Sequence, residues 1–228
     1  MATKPTVAHM SRRQACTAAS ADRPSARIAA INGRDASTYA SRPAPRYSLL
    51  SDASLSRLRS SRYHRSAYTG HGSPGSFTFK GNSDDKWITP NDAIWGDWDL
   101  EWMQLESCQV LADTNGTHDY FSRWGGTIDG LHMLNGFHTN AHCVNGGTGG
   151  RFAQYLFPDW YRGPLTVRNA WAQMAIDKEP SGVVYRSMGN LGPGWVTNIG
   201  DYFWGQGPTG PDIPLAGRIG MWSITGTV

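Results

Sequence analysis

From Ser66 onward the chain alternates short apolar runs with glycine and proline turns. The spacing of the apolar positions separates strands, with a period of about 2, from helices, with a period of about 3.6. Residues 66–69 read as the end of a strand entering a glycine-punctuated loop, 70–75, after which Phe77 and Phe79 share one face of a short strand. A polar connection containing Pro90 follows, and Trp98, Leu100 and Trp102 then resume the alternation. Met103, Leu105 and Ser107 extend it on the other face, with Cys108 at the C-terminal end of the run. Residues 119–124 have helical character cut short by Gly125 and Gly126, and the compact run 131–134 suits a buried strand. A polar, glycine-rich loop spans 138–150, and a short helix over 151–157 places Phe152, Tyr155 and Leu156 on one side. The clearest helix covers 165–177, where Val167, Ala170, Trp171, Met174 and Ala175 fall at i, i+3, i+4, i+7 and i+8. Pro180 to Gly182 ends it, 183–185 reads as a strand, and from Gly189 the chain is expected to form loops with a last strand near 220–225. This order of elements predicts an α/β or α+β domain over residues 66–228.

The preceding residues are different material. Residues 1–65 carry 12 basic and 3 acidic groups, net +9, whereas 66–228 carry 9 and 15, net −6. All 10 Trp lie at or beyond Trp87. A segment so rich in Ser, Arg, Ala and Pro buries too little apolar surface to offset its ordering entropy, so 1–65 is expected to be a largely disordered tail or a targeting segment. It has the Arg-rich, acid-poor composition of a transit peptide, and Ser11-Arg12-Arg13 echoes a twin-arginine signal, but no apolar h-region follows. Its charges are dispersed and lack interleaved aromatics, so nucleic acid is not the expected partner. No apolar stretch approaches the roughly 18 to 20 residues of a bilayer span. The 3 cysteines, Cys16, Cys108 and Cys143, are too few for a disulfide scaffold.

The chemistry centres on a histidine between glycines after one strand and a cysteine at the end of a later one. His71 and Cys108 are far apart in the chain, yet the carboxyl ends of neighbouring parallel strands share one rim, where open α/β sheets place their sites. A thiolate is the nucleophile, and an adjacent imidazole lowers its pKa or accepts its proton, which makes Cys plus His a minimal acyl-transfer unit. Gly72 has no Cβ, so its backbone can approach a scissile carbonyl, and its N–H with that of Cys108 can form an oxyanion hole.

At these motifs the sequence resembles the caspase-like (clan CD) cysteine peptidases, nearest in pattern to CHAT- and gingipain-type domains. In that family a His-Gly pair follows one sheet strand and a small residue plus Cys follows the next. Tyr68-Thr69-Gly70-His71-Gly72 and Leu105-Glu106-Ser107-Cys108-Gln109 stand in that relation here. Residues 149–156 and the stretch from Leu165 into the Ala170-Trp171 helix are similar to the two-helix arrangement of CHAT-type domains. The resemblance covers roughly residues 66–185. It implies a mostly parallel sheet flanked by helices, His71 as general base, Cys108 as nucleophile, Gly72 as an oxyanion donor, a peptide or protein substrate and no cofactor. The family also places strands before its His strand. Residues 1–65 show no apolar periodicity to supply them, so the sheet is expected to lack its N-terminal strands.

Glu106 departs from the family pattern, and a carboxylate aimed at the sulfur would raise the thiol pKa. Together with the missing strands it motivates a second expectation, a catalytically inactive caspase-like domain that binds or assembles. A third chemistry comes from 138–143. On a helix His138 and His142 would share one face, and His132 or Cys143 would add a ligand for a metal-dependent hydrolase. The carboxylates Asp97, Asp99, Glu101 and Glu106 read as a solvated strand face, or as selectors of a basic side chain in a substrate. The glycines of 146–150 lack the lysine of a phosphate loop.

Overall fold

A computed structural model describes residues 27–30, 65–78, 87–96, 100–114, 116, 118–142, 144 and 147–228. Its strands are β1 (Arg27–Ala30), β2 (Arg65–Ser73), β3 (Ser76–Thr78), β4 (Trp87–Ile88), β5 (Trp102–Ser107), β6 (Met133–Phe137), β7 (Val184–Gly192), β8 (Val196–Thr197) and β9 (Gly220–Thr227). The helices are α1 (Asp119–Trp124), α2 (Gly149–Leu156) and α3 (Val167–Lys178). They form one sheet in the order β4-β3-β2-β5-β6-β7-β8, with β1 also paired to β2 and β9 to β7.

The fold is α/β with a mixed sheet. Parallel pairing is confined to its centre, where β2 lies beside β5 and β5 beside β6. Every other pairing is antiparallel. The central strand explains the division of the core. All six β5 residues are buried, as expected of a parallel strand covered on both faces. Alternation sends Met103 and Leu105 to a cluster with Tyr68, Leu134, Tyr120 and Trp124, beneath α1. It sends Trp102 to a second cluster with Met133, Phe137 and the buried stripes of α2 and α3.

Helix α3 follows its apolar pattern: Val167, Ala170, Trp171, Met174 and Ala175 are the buried positions. Thr166 starts it, its hydroxyl accepting the Asn169 N–H at 3.3 Å, which satisfies one of the amides a helix N-terminus leaves unpaired.

Several expectations need correction. The glycine stretch after Thr69 is not all loop: β2 continues through His71 to Ser73, and the turn narrows to Pro74-Gly75, with Gly75 at φ +78°. Tyr68 fixes this hairpin by donating its hydroxyl to the Thr78 carbonyl. Likewise β7 runs past Gly189 to Gly192, because β9 pairs with it over eight residues. Glu101 and Glu106 do not lie on a solvated face; both are buried, whereas Asp97 and Asp99 lie outside the described residues. Most of the expected tail, 1–26 and 31–64, also lies outside them. Within it, β1 pairs antiparallel with the first half of β2, so a strand does precede the His strand. No helix among the described residues is long and apolar enough to cross a membrane.

Candidate active site

The register of the two central strands decides which side chains meet at their carboxyl ends. Tyr68 is opposite Leu105, Thr69 opposite Glu106 and Gly70 opposite Ser107, so the register ends one residue before His71 on β2 and one before Cys108, which opens the turn after β5. Thr69 donates its hydroxyl to Glu106 Oε2 at 2.8 Å, and His71 follows Thr69 by two residues, the period of a strand. The Cys108 thiol donates to the Ala141 carbonyl at 3.5 Å, and Ala141 belongs to the cluster beneath α2 and α3. His71 is exposed and Cys108 half-buried.

Gly72 is held against the cysteine. A Cβ there would come within 2.6 Å of the Cys108 carbonyl oxygen and 2.8 Å of Ser107 Cβ, so glycine is required by close approach. Gly72 and Cys108, remote in sequence, are thus brought together, and His71 is the residue before that glycine.

The backbone after the thiol turns sharply. Gln109 has φ 57°, a left-handed conformation uncommon for a residue with a side chain. The turn is anchored by Gln109 N–H to the Thr139 carbonyl at 2.8 Å and Leu111 N–H to the Phe137 carbonyl at 3.0 Å. The Trp124 indole N–H adds a bond to the Val110 carbonyl at 2.8 Å. The loop after β6 therefore lies across the cysteine turn.

Glu106 is engaged away from the strand end. It accepts from the hydroxyls of Thr69 and of Thr148, the residue that precedes α2. In the loop above, Glu179 accepts both the His142 amide at 2.9 Å and a His142 Nδ1 contact at 3.2 Å. The Glu179 side chain is fully buried, its Oε1 has no partner among the described residues, and burial pushes its carboxyl above the usual range. An open polar groove of about 380 Å³ is lined by Gly147, Gly150, Arg151, Gln154, Asp177 and Lys178, and includes neither His71 nor Cys108.

The three histidines expected to share a metal do not converge. His138 Nδ1 accepts the Asp113 amide at 3.1 Å, His142 belongs to Glu179, and His132 lies at the opposite rim, where β5 and β6 begin. The loop carrying 138–142 is not helical, so His138 and His142 lose the one-turn spacing that would have aligned them. Cys143 lies outside the described residues.

At that other rim His132 is enclosed by carboxylates. Its Nε2 lies 2.7 Å from Glu101 Oε2 and 3.1 Å from Asp212 Oδ1, while its Nδ1 lies 2.6 Å from Asp201 Oδ2. Burial alone would lower the imidazole pKa, but the bonds to Asp201 and Glu101, the Glu101 charge and the Asp212 bond together raise it to about 10. Trp102 packs edge-on against the ring, with centroids 6.0 Å apart. Asp201 and Asp212 went unnoticed in the sequence because each stands alone in a Gly/Pro-rich loop. Glu179 also went unnoticed, since it looks like an ordinary charged residue at a helix end.

No curated protein and no solved structure matches the chain. Residues 64–226, nearly all of the ordered fold just described, match the DUF6345 family, described as a domain of unknown function, and the chain belongs to that family.

Proposed function

We propose that the domain is a cysteine-dependent hydrolase of peptide bonds, with Cys108 as nucleophile and His71 as general base. One observation supports this reading: the parallel register of β2 and β5 ends with Gly70 opposite Ser107, the residues that immediately precede His71 and Cys108. His71 takes the thiol proton as sulfur attacks the substrate carbonyl, then returns it to the leaving amine. Water resolves the thioacyl intermediate with His71 again as base. The close approach of Gly72 to the Cys108 backbone supports an oxyanion site built from the amides of these two residues. The substrate is a peptide or protein, and the reaction requires no cofactor.

The test is alkylation of Cys108 by iodoacetamide against pH, in a Cys16→Ser, Cys143→Ser background, with and without His71→Ala. The reading predicts an apparent thiol pKa below the ordinary value of about 8.5, and loss of that shift with His71→Ala. Identical profiles with and without His71 would exclude the dyad. One contact favours a second reading. The Ala141 carbonyl accepts from the thiol, an engagement that befits a catalytically silent caspase-like domain that binds or assembles. A thiol that alkylates only on unfolding would decide for that reading.

A further inference from the structure

The cluster around His132 has the makings of a metal site at the rim opposite the cysteine. We infer that Glu101, His132 and Asp212 bind a divalent transition-metal ion of the zinc type, with Asp201 orienting the imidazole from behind. One ligand atom from each of the three lies within 4.8 Å of the other two.

Four observations carry the assignment. First, the histidine is oriented as metal-bound histidines are. Asp201 Oδ2 lies 2.6 Å from Nδ1, which fixes the tautomer with Nδ1–H as donor and leaves Nε2 facing the other two carboxylates. Asp201 is itself held, its Oδ1 accepting the Gly210 amide at 2.9 Å. Second, two carboxylate oxygens, from Glu101 and Asp212, converge on that one nitrogen at 2.7 and 3.1 Å. A single N–H serves one acceptor well, whereas a metal ion serves all three ligands. Tetrahedral coordination with bonds of about 2.0–2.2 Å requires ligand atoms about 3.3–3.6 Å apart, so admitting the ion moves Glu101 back from Nε2 by roughly 0.6–0.9 Å and Asp212 by roughly 0.2–0.5 Å.

Third, the charge does not balance. Three carboxylates face one imidazole whose side chain is only 1% exposed, and among the described residues no Lys or Arg pairs with any of the three. Even a protonated ring leaves two negative charges in excess, two of the three carboxylates, Glu101 and Asp201, are sheltered from solvent, and such a cluster calls for a cation. Fourth, the surroundings suit a shielded ion with one open position. Trp102, fully buried, walls the imidazole, whereas the Asp212 side chain is 57% exposed and leaves room for water as a fourth ligand. A mixed nitrogen and oxygen donor set without sulfur favours zinc-like ions over calcium or magnesium, which take oxygen.

The ion would fasten the long loop after β8 to the start of the central strands. Asp212 reaches the site from that loop, which Asn198 and Asn190 pin through the Pro211 and Ile213 carbonyls at 3.1 and 2.7 Å. This inference does not depend on the proposed activity of Cys108.

The experiment uses the full chain, with all three cysteines replaced by serine, stripped with chelator and then titrated with zinc(II). Elemental analysis after desalting should find one equivalent of zinc, and zinc should raise the thermal midpoint. Asp212→Asn, at a half-exposed position and so expected to fold, should remove stoichiometric binding. Asp201→Asn should weaken it by about 10- to 100-fold, the usual effect of losing a partner behind a metal-bound histidine. Cobalt(II) in place of zinc should give the visible bands of a low-coordinate nitrogen and oxygen site. Failure to retain zinc, unchanged binding in Asp212→Asn, or a preference for calcium would each overturn the assignment. So would binding abolished by His138→Ala or His142→Ala.

Discussion

The two rims of the central strands hold their histidines in opposite ways. At the carboxyl ends His71 is exposed, one residue past the point where the register of β2 and β5 ends, and Cys108 is half-buried. At the amino ends His132 is buried and bound through both ring nitrogens to carboxylates from three separate segments. The six residues of β5 put roughly 20 Å between these rims at about 3.3 Å per residue. The difference teaches that exposure with a reactive neighbour suits chemistry, whereas full enclosure suits fastening. A buried histidine in such a cage contributes to stability first.

The sharpest way to break this contrast is to remove each histidine in turn. His132→Ala should destabilise the domain by about 3–5 kcal/mol, the usual cost of stripping a buried charge cluster of its partner. His71→Ala should stay within about 0.5 kcal/mol, as an exposed substitution does. Urea unfolding at neutral pH measures both, and equal costs would erase the distinction between the rims.

The pH dependence comes next. In chelator-treated protein His132 holds its proton up to about 10, against 6.5 for an unperturbed imidazole. The folded state thus binds this proton more tightly than the unfolded chain. The resulting stability is fully present below about 6.5 and is lost as pH rises through about 10. Urea midpoints over that interval should fall for the parent chain and stay flatter for His132→Gln.

Between the rims lies Gln104, fully buried, with neither its amide nitrogen nor its oxygen partnered among the described residues. Gln104→Met keeps the volume and removes the unpaired groups, and should stabilise by about 1 kcal/mol. It should leave both thiol alkylation and zinc binding unchanged; a shift in either would mean that the rims communicate through β5. The smallest effect is expected from Glu106→Gln. It keeps an acceptor for Thr69 and Thr148 while removing a negative charge two residues from Cys108, and should cost under about 1 kcal/mol. The apparent thiol pKa should fall slightly, because a nearby carboxylate disfavours the thiolate. Alkylation profiles would show a rise instead if Glu106 helped to activate the thiol.

Much of the architecture was legible because its strongest signals are periodic. Helix α3 showed its apolar stripe at 3.6-residue spacing, and α1 ended where Gly125 and Gly126 cut it. The end of β5 just before Cys108 was legible because a change of pattern marks it. Strands made of small residues were not. The Gly-rich second halves of β2 and β7 become strands only through pairing with β3 and β9, a tertiary choice that local propensity opposes. The acidic run before β5 misled in a similar way: alternation of Trp with Asp or Glu suggests one wet face, but a parallel neighbour on each side and helices above bury both. His132 and Glu101 were singled out separately, as a ligand beside His138 and His142 and as part of a strand face, but their convergence with Asp201 and Asp212 escaped because no spacing rule links positions 101, 132, 201 and 212.

The parallel register of β2 on β5 also bears on how the chain acquires its native state. The two strands come from distant parts of the sequence, so their pairing closes a long loop and belongs to the slow, non-local part of folding. A slip of one residue would turn Tyr68 out of its core and swing His71 to the opposite face, away from Cys108. Under the proposed dyad, a histidine-dependent reactivity of the thiol would therefore also serve as a proofreading signal for strand alignment. During refolding it should emerge only with the last of the native fluorescence, and a misaligned molecule, however compact, would remain silent.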